Sequence, residues 1–153
     1  MKGITKFTPS LLSVNSNYGI VYTSWNQEIV SSLLENTTKE LLSLGVNKNN
    51  ISVMEVPGAF EIPLASKSLA SNVDAVIALG AIVKGDTPHF DFIASSCAQG
   101  IVQASLEEKK PIIFGVLTTN NEEQALERSD ANRGNKGAEF ARSAMQMIET
   151  LSS

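Results

Sequence analysis

Histidine, cysteine and basic residues are scarce in this chain, and their scarcity removes several classes of function. The 153 residues include one histidine, His89, and one cysteine, Cys97. A zinc centre draws several such ligands together, so none is expected within one chain. A single cysteine also excludes an intramolecular disulfide. Lys and Arg number 12 against 16 Asp and Glu, a net charge of −4. That balance offers no electrostatic footprint for nucleic acid or an anionic membrane. Aromatic residues make up 6% of the chain and are scattered, with no basic–aromatic stripe for stacking single strands. No apolar run approaches the roughly 20 residues of a membrane span. The stretch Met1–Ser10 carries charge but no apolar segment follows it, so a cytoplasmic protein without a secretory signal is expected.

What is present suits one soluble domain, taken as residues 1–153 with 1–17 as an N-terminal arm, either loose or laid as an edge strand on a neighbour. A hydrophobic share of 42% is ordinary for a globular core. Short apolar runs alternate with segments of helical spacing. Strands are predicted at Tyr18–Thr23, Ile51–Val56, Val73–Leu79 and Ile112–Leu117. The helix after the first strand starts near Gln27, buries Val30, Leu33, Leu34, Leu41 and Leu42, and ends at a left-handed Gly45. Further helices are predicted at Glu61–Ala70, from Thr87 with Phe90, Ile93, Cys97, Ile101 and Ala104 inward, at Glu122–Arg128, and at Ala138–Leu151. Cys97 thus reads as a core residue. The order β-α-β-α-β-α-β-α-α implies a four-stranded parallel sheet with helices on both faces, a three-layer α/β/α fold.

Such sheets bind ligands at the carboxyl ends of their strands. The four exits are Trp25-Asn26, Pro57 to Glu61, Gly80 to His89, and Phe114 to Asn120, and all four are unusual in composition. The third is the most telling. Gly80 and Gly85 are read as turn glycines, and Thr87-Pro88 as a helix start. A strand end, a glycine loop and a helix N-terminus together present free amides to an anion. His89 lies in the first turn of that helix, where a proton donor would help a bound phosphate to leave. The spacing of Gly80 and Gly85 matches neither the dinucleotide fingerprint nor the P-loop. Each side chain also has a plainer reading. His89 can be a surface residue, Trp25 a core residue or a stacking platform, and Glu61 a helix N-terminal carboxylate. Arg128 and Lys136 are solvated charges unless folding or assembly brings them to the anion turn.

Four stretches together resemble one family. Val56-Pro-Gly-Ala-Phe-Glu-Ile-Pro63, Leu79-Gly-Ala-Ile-Val-Lys-Gly-Asp-Thr-Pro-His-Phe-Asp91, Pro111-Ile-Ile-Phe-Gly-Val-Leu-Thr118 and Asn135-Lys-Gly-Ala-Glu139 are similar to lumazine synthases in order and spacing. The resemblance implies a flavodoxin-like fold and a cofactor-free, metal-free condensation in riboflavin synthesis. The substrates implied are 5-amino-6-(ribitylamino)uracil and 3,4-dihydroxy-2-butanone 4-phosphate, and the products 6,7-dimethyl-8-ribityllumazine, phosphate and water.

By the same resemblance, Trp25 stacks on the pyrimidine, and Ala59, Phe60 and Glu61 hold the ribityl chain and ring. Ala81, Ile82 and Val83 line the ring pocket. Gly85, Asp86 and Thr87 bind phosphate through their amides, and His89 shuttles protons. Phe114, Arg128 and Lys136 arrive from an adjacent subunit of a homopentamer, the arginine binding phosphate. Pentamers assembled into an icosahedral shell, and association with riboflavin synthase, are further expectations of this kind. Three positions depart from the common pattern. Ser24 stands where a basic residue often precedes the aromatic, Asp86 puts a carboxylate at the phosphate turn, and Arg133 alters a loop that is otherwise glycine-rich.

Overall fold

A computed structural model describes residues 7–152. A short helix α1 (Leu11–Val14) leads into β1 (Tyr18–Thr23) and α2 (Gln27–Ser43). Strand β2 (Ile51–Val56), helix α3 (Ile62–Ala70) and strand β3 (Ala75–Val83) follow. Helix α4 (His89–Glu108), strand β4 (Ile112–Thr119) and helices α5 (Glu122–Ser129) and α6 (Lys136–Ser152) complete the order. The strands form one parallel sheet in the order β2-β1-β3-β4. The expected α/β/α sandwich is therefore what the chain adopts.

Two cores flank the sheet because side chains alternate along each strand. Ala75, Ile77, Leu79 and Ala81 of β3 join Tyr18, Ile20, Leu33, Ala141 and Met145 on the side of α2 and α6. Val76, Ala78 and Ile82 join Val21, Ile62, Cys97 and Ile101 on the side of α3 and α4. A strand buried on both faces has no polar alternation, which is why β3 reads as one continuous apolar run. Cys97 is fully buried, and burial pushes its thiol up to about 11, so it is a packing residue as expected.

Several boundaries differ from those predicted. Strand β3 continues past Leu79 to Val83, because Ala81, Ile82 and Val83 pair with Leu117, Thr118 and Thr119 of an equally extended β4. Gly80 is therefore a buried strand residue, not a turn. A Cβ there would lie 3.3 Å from Ile62 and 3.5 Å from Thr23, so its smallness serves packing. Gly85 has no positive φ either. The expected left-handed cap at Gly45 is present, with φ 103°. Helix α4 begins at His89, with Thr87 Oγ1 accepting the His89 N–H at 3.4 Å. Leu42 is exposed, because the inward face of α2 runs through Val30, Leu33, Thr37 and Leu41 and leaves the next residue turned away from the core. Helix α6 begins at Lys136, two residues before its predicted start, directly after Asn135 in the left-handed region.

The described part of the N-terminal arm is α1, not an edge strand. The Ser13 hydroxyl donates to the Glu149 carboxylate at 2.7 Å, tying α1 to α6. That bond holds the Glu149 carboxyl below its ordinary range. The rest of the expected arm, residues 1–6, lies outside the described residues.

The glycines also separate packing from site. A Cβ at Gly115 would stand 2.7 Å from the Ala78 carbonyl oxygen and 2.9 Å from Leu79 and Phe140. The backbone oxygen belongs to the sheet and cannot retreat. Gly115→Ala should therefore cost about 1–3 kcal/mol through overpacking. Gly85→Ala meets nothing within 4 Å and should leave stability unchanged. Thermal melts of the two variants side by side test this; equal midpoints would remove the packing role of Gly115.

Candidate functional site

The chain runs β1 to β2 on one side of the sheet and then crosses back to place β3 on the other side of β1. The reversal opens a crevice above the β1 and β3 carboxyl ends, where helices leave in different directions. A cleft of about 480 Å³ occupies that point. Three of the four strand exits meet there. Trp25 and Asn26 come from β1, Gly58 to Glu61 from the turn after β2, and Ala81 to Val83 from β3. Gly85, Thr87 and His89 close the end nearest α4, with Phe90 and Ile93 beneath them.

Ten of the residues singled out from the sequence thus line one cleft: Trp25, Ala59, Phe60, Glu61, Ala81, Ile82, Val83, Gly85, Thr87 and His89. Trp25 is 72% exposed, which excludes the core reading and leaves a flat ring free at the rim. Phe60, 63% exposed, is a second free aromatic there. Glu61 precedes α3 but its carboxylate caps nothing. A Cβ at Gly58 would lie 3.4 Å from Glu61 Oε2, so the carboxylate lies over the glycine on the cleft side. Ala81 and Ile82 are buried and form the floor.

The anion turn keeps its expected place without the expected backbone. Gly85, Asp86, Thr87 and His89 are all exposed around the start of α4. This helix runs for 20 residues with its N-terminus at the cleft. Its first amides lack intrahelical acceptors, and its dipole places partial positive charge there. A phosphate-sized anion fits such an end with no added basic residue. Asp86 stands between two lining residues but is not itself part of the wall.

Four expected site residues are not brought to this cleft by their own chain: Asp86, Phe114, Arg128 and Lys136. Phe114 pairs with Ala78 inside β4, a sheet-edge strand, and is 40% exposed. Arg128 is exposed on α5, its guanidinium donating to the Gln124 carbonyl at 3.2 Å. Lys136 Nζ lies 2.8 Å from the Glu139 carboxylate at the start of α6. The fourth exit leads away from the cleft because β4 feeds α5. There Asn121 Oδ1 accepts the Gln124 N–H at 2.8 Å, and Gln124 Oε1 accepts the Asn120 N–H at 2.9 Å.

Thr23, Asn26, Gly58, Phe90 and Ile93 line the cleft without being among the candidate site residues. Asn26 left one signal, an asparagine in the short turn between β1 and α2, where a left-handed residue is common. Phe90 and Ile93 read as core from helical spacing, and they are half-buried, one side packed and the other toward the cleft.

Comparison with known proteins identifies the family of the sequence. The sequence model of the family described as 6,7-dimethyl-8-ribityllumazine synthase matches residues 15–152. A protein of Protochlamydia amoebophila (strain UWE25) named 6,7-dimethyl-8-ribityllumazine synthase is 49% identical over 133 residues. That alignment covers 86% of this chain and 77% of the relative.

Proposed function

Since the chain belongs to the 6,7-dimethyl-8-ribityllumazine synthase family, we propose that the cleft at the β1–β3 crossover is where it joins its two substrates. The reaction condenses 5-amino-6-(ribitylamino)uracil with 3,4-dihydroxy-2-butanone 4-phosphate in riboflavin biosynthesis. The observation that carries the assignment of the cleft is the meeting of an exposed indole, a free carboxylate and a helix N-terminus bearing a histidine. Each serves a different part of the two substrates.

In this reading Trp25 stacks on the pyrimidine, and Ala81, Ile82 and Val83 form the wall along its edge. Glu61 accepts hydrogen bonds from ribityl hydroxyls, with Ala59 and Phe60 beside it. The amides of Gly85, Asp86 and Thr87 receive the phosphate, the Asp86 side chain turning to solvent. The pyrimidine's 5-amino group adds to the ketone and expels water to give an imine. The imine acidifies the neighbouring C–H, whose proton leaves as the C–O bond to phosphate breaks. The resulting enol becomes a ketone, the ribitylamino nitrogen closes on it, and a second water departs. Carbon is neither oxidised nor reduced overall, so the reaction calls for no electron carrier. His89 takes and returns the protons, as imidazole can near neutral pH.

Much of the rate comes from holding reactants that already carry amine, ketone and leaving group. Orientation of that kind supplies up to about 7–11 kcal/mol in favourable cases. A neighbouring copy completes the pocket across a homopentamer interface, Arg128 and Lys136 adding positive charge and Phe114 an apolar surface. Pentamers assembling into an icosahedral shell, association with riboflavin synthase and a cytoplasmic location belong to the same proposal. Among the described residues no helix is long and apolar enough to cross a membrane.

Mixing the protein with both substrates should yield lumazine absorbance and fluorescence well above the uncatalysed background. A rate equal to background would sink the assignment. A binding-only shell protein on this scaffold would bind the lumazine but never form it, and the same assay separates the two.

A further inference from the structure

Asn26 lines the cleft yet has no part in the roles proposed above. It stands in the left-handed region at φ 56° and ψ 50°, which asparagine tolerates far better than alanine or a β-branched residue. Its side chain crosses from the exit of β1 to that of β3, where Nδ2 donates to the Ala81 carbonyl at 2.9 Å. The residue two places earlier in the same turn's approach to Trp25 is tied the other way. Ser24 N–H donates to the Val56 carbonyl at 2.9 Å, and its hydroxyl lies 3.3 Å from the Pro57 carbonyl. The Thr23 hydroxyl closes the turn by donating to the Trp25 carbonyl at 3.2 Å. Trp25 therefore sits between an anchor on β2 and an anchor on β3. Trp25 is 72% exposed, so the hydrophobic core does little to orient it and the backbone must.

We propose that Asn26 is a positioning residue, whose left-handed backbone and bond to Ala81 hold Trp25 as a fixed platform and thereby set affinity for the planar substrate. The inference rests on the stacking role of Trp25 given above. A platform oriented beforehand loses less freedom on binding than one that must be ordered by the ligand. The same bond occupies the Ala81 carbonyl and so joins the platform to the floor of the cleft.

Trp25 is the single tryptophan, so intrinsic tryptophan fluorescence reports on this position alone. Asn26→Gly keeps the left-handed backbone accessible and drops the bond. Asn26→Asp keeps the shape but sets an acceptor against the Ala81 carbonyl. In ligand-free protein, time-resolved anisotropy should show added indole motion in both variants. In the two-substrate assay, KM for the pyrimidine should rise about tenfold, the share of one hydrogen bond, with kcat and KM for the phosphate substrate little changed. Unchanged anisotropy in both variants overturns the proposal. Added motion with an unchanged pyrimidine KM also overturns it, since the bond then serves the turn and not the ligand. A fall in kcat as large as the rise in KM would place Asn26 among the reacting groups and overturn it likewise. If the native protein made no lumazine, the assigned reaction would fail instead. Binding of the pyrimidine alone, read by Trp25 quenching, would then decide the positioning role.

Discussion

Replacing His89 with alanine should lower kcat by about a hundred- to ten-thousandfold, the usual share of a positioned proton carrier. That range corresponds to about 3–5 kcal/mol of barrier. The loss should fall on kcat and not on KM, because His89 is exposed at the helix start and is not needed to hold either substrate in the proposed pose. Its imidazole is the only one in the chain, so no second histidine of the same subunit can take over. Activity should still exceed background, since the stacking platform and the phosphate amides remain. Stability should be nearly unaltered, for the side chain packs against no core. A steady-state comparison checks all of this, and added imidazole should restore part of the rate. A variant with native kcat would take the proton-transfer role away from His89.

Arg128→Ala should produce the second large effect, and of a different kind. Losing a charge-assisted bond to phosphate costs about 1.5–3 kcal/mol, or about ten- to a hundredfold in KM for the phosphate substrate. KM for the pyrimidine should hardly move. Raised salt should narrow the gap between native and variant, because an exposed guanidinium is screened. The guanidinium does not reach the cleft of its own chain, so the proposed phosphate role requires a site shared with a second copy. Co-assembling the Arg128→Ala and His89→Ala proteins should therefore rebuild native sites from two defective chains, about a quarter of them in a random equal mixture. If mixing restored nothing beyond the average of the two, the site would be confined to one chain. Unchanged affinity in Arg128→Ala alone would remove the phosphate role altogether.

These two expectations draw on different kinds of information. The parallel sheet was legible because each strand of a doubly covered sheet must be apolar on both faces and each crossover must be a helix. The alternation of short apolar runs with helical spacing from Tyr18 to Ile148 has few other solutions. The exits were legible for the same reason, since topology puts every strand's carboxyl end on one edge. The stretch from Leu79 to Asp91 pointed to an anion through chemistry that is local: a helix start, free amides and a histidine within a few residues.

Local signals misread Gly80 and the end of β3. A glycine after an apolar run looks like a turn, but Gly80 continues the strand because β4 offers a partner for three more residues. Pairing across strands is nonlocal, and nothing in the neighbouring residues announces it. Trp25 was undecided for the same reason, because an indole can lie inside or outside and only packing chooses. Asn26 reads from the sequence only as part of the β1 exit, with no role of its own, because its partner, the Ala81 carbonyl, is 55 residues away.

By itself, then, the sequence determined the alternation of strands and helices, the sheet edge that carries the cleft and the start of α4 beside it. All of these follow from periodicity or from residues close together in the chain. Only the tertiary structure decided how far β3 runs, that Trp25 stands free at the rim, and that Asn26 ties that rim to β3. It also decided that β4 delivers its exit to α5 and not to the cleft, leaving Phe114 and Arg128 facing elsewhere. Those outcomes depend on which surfaces meet across the sheet, and burial and pairing between distant residues are settled by the fold as a whole.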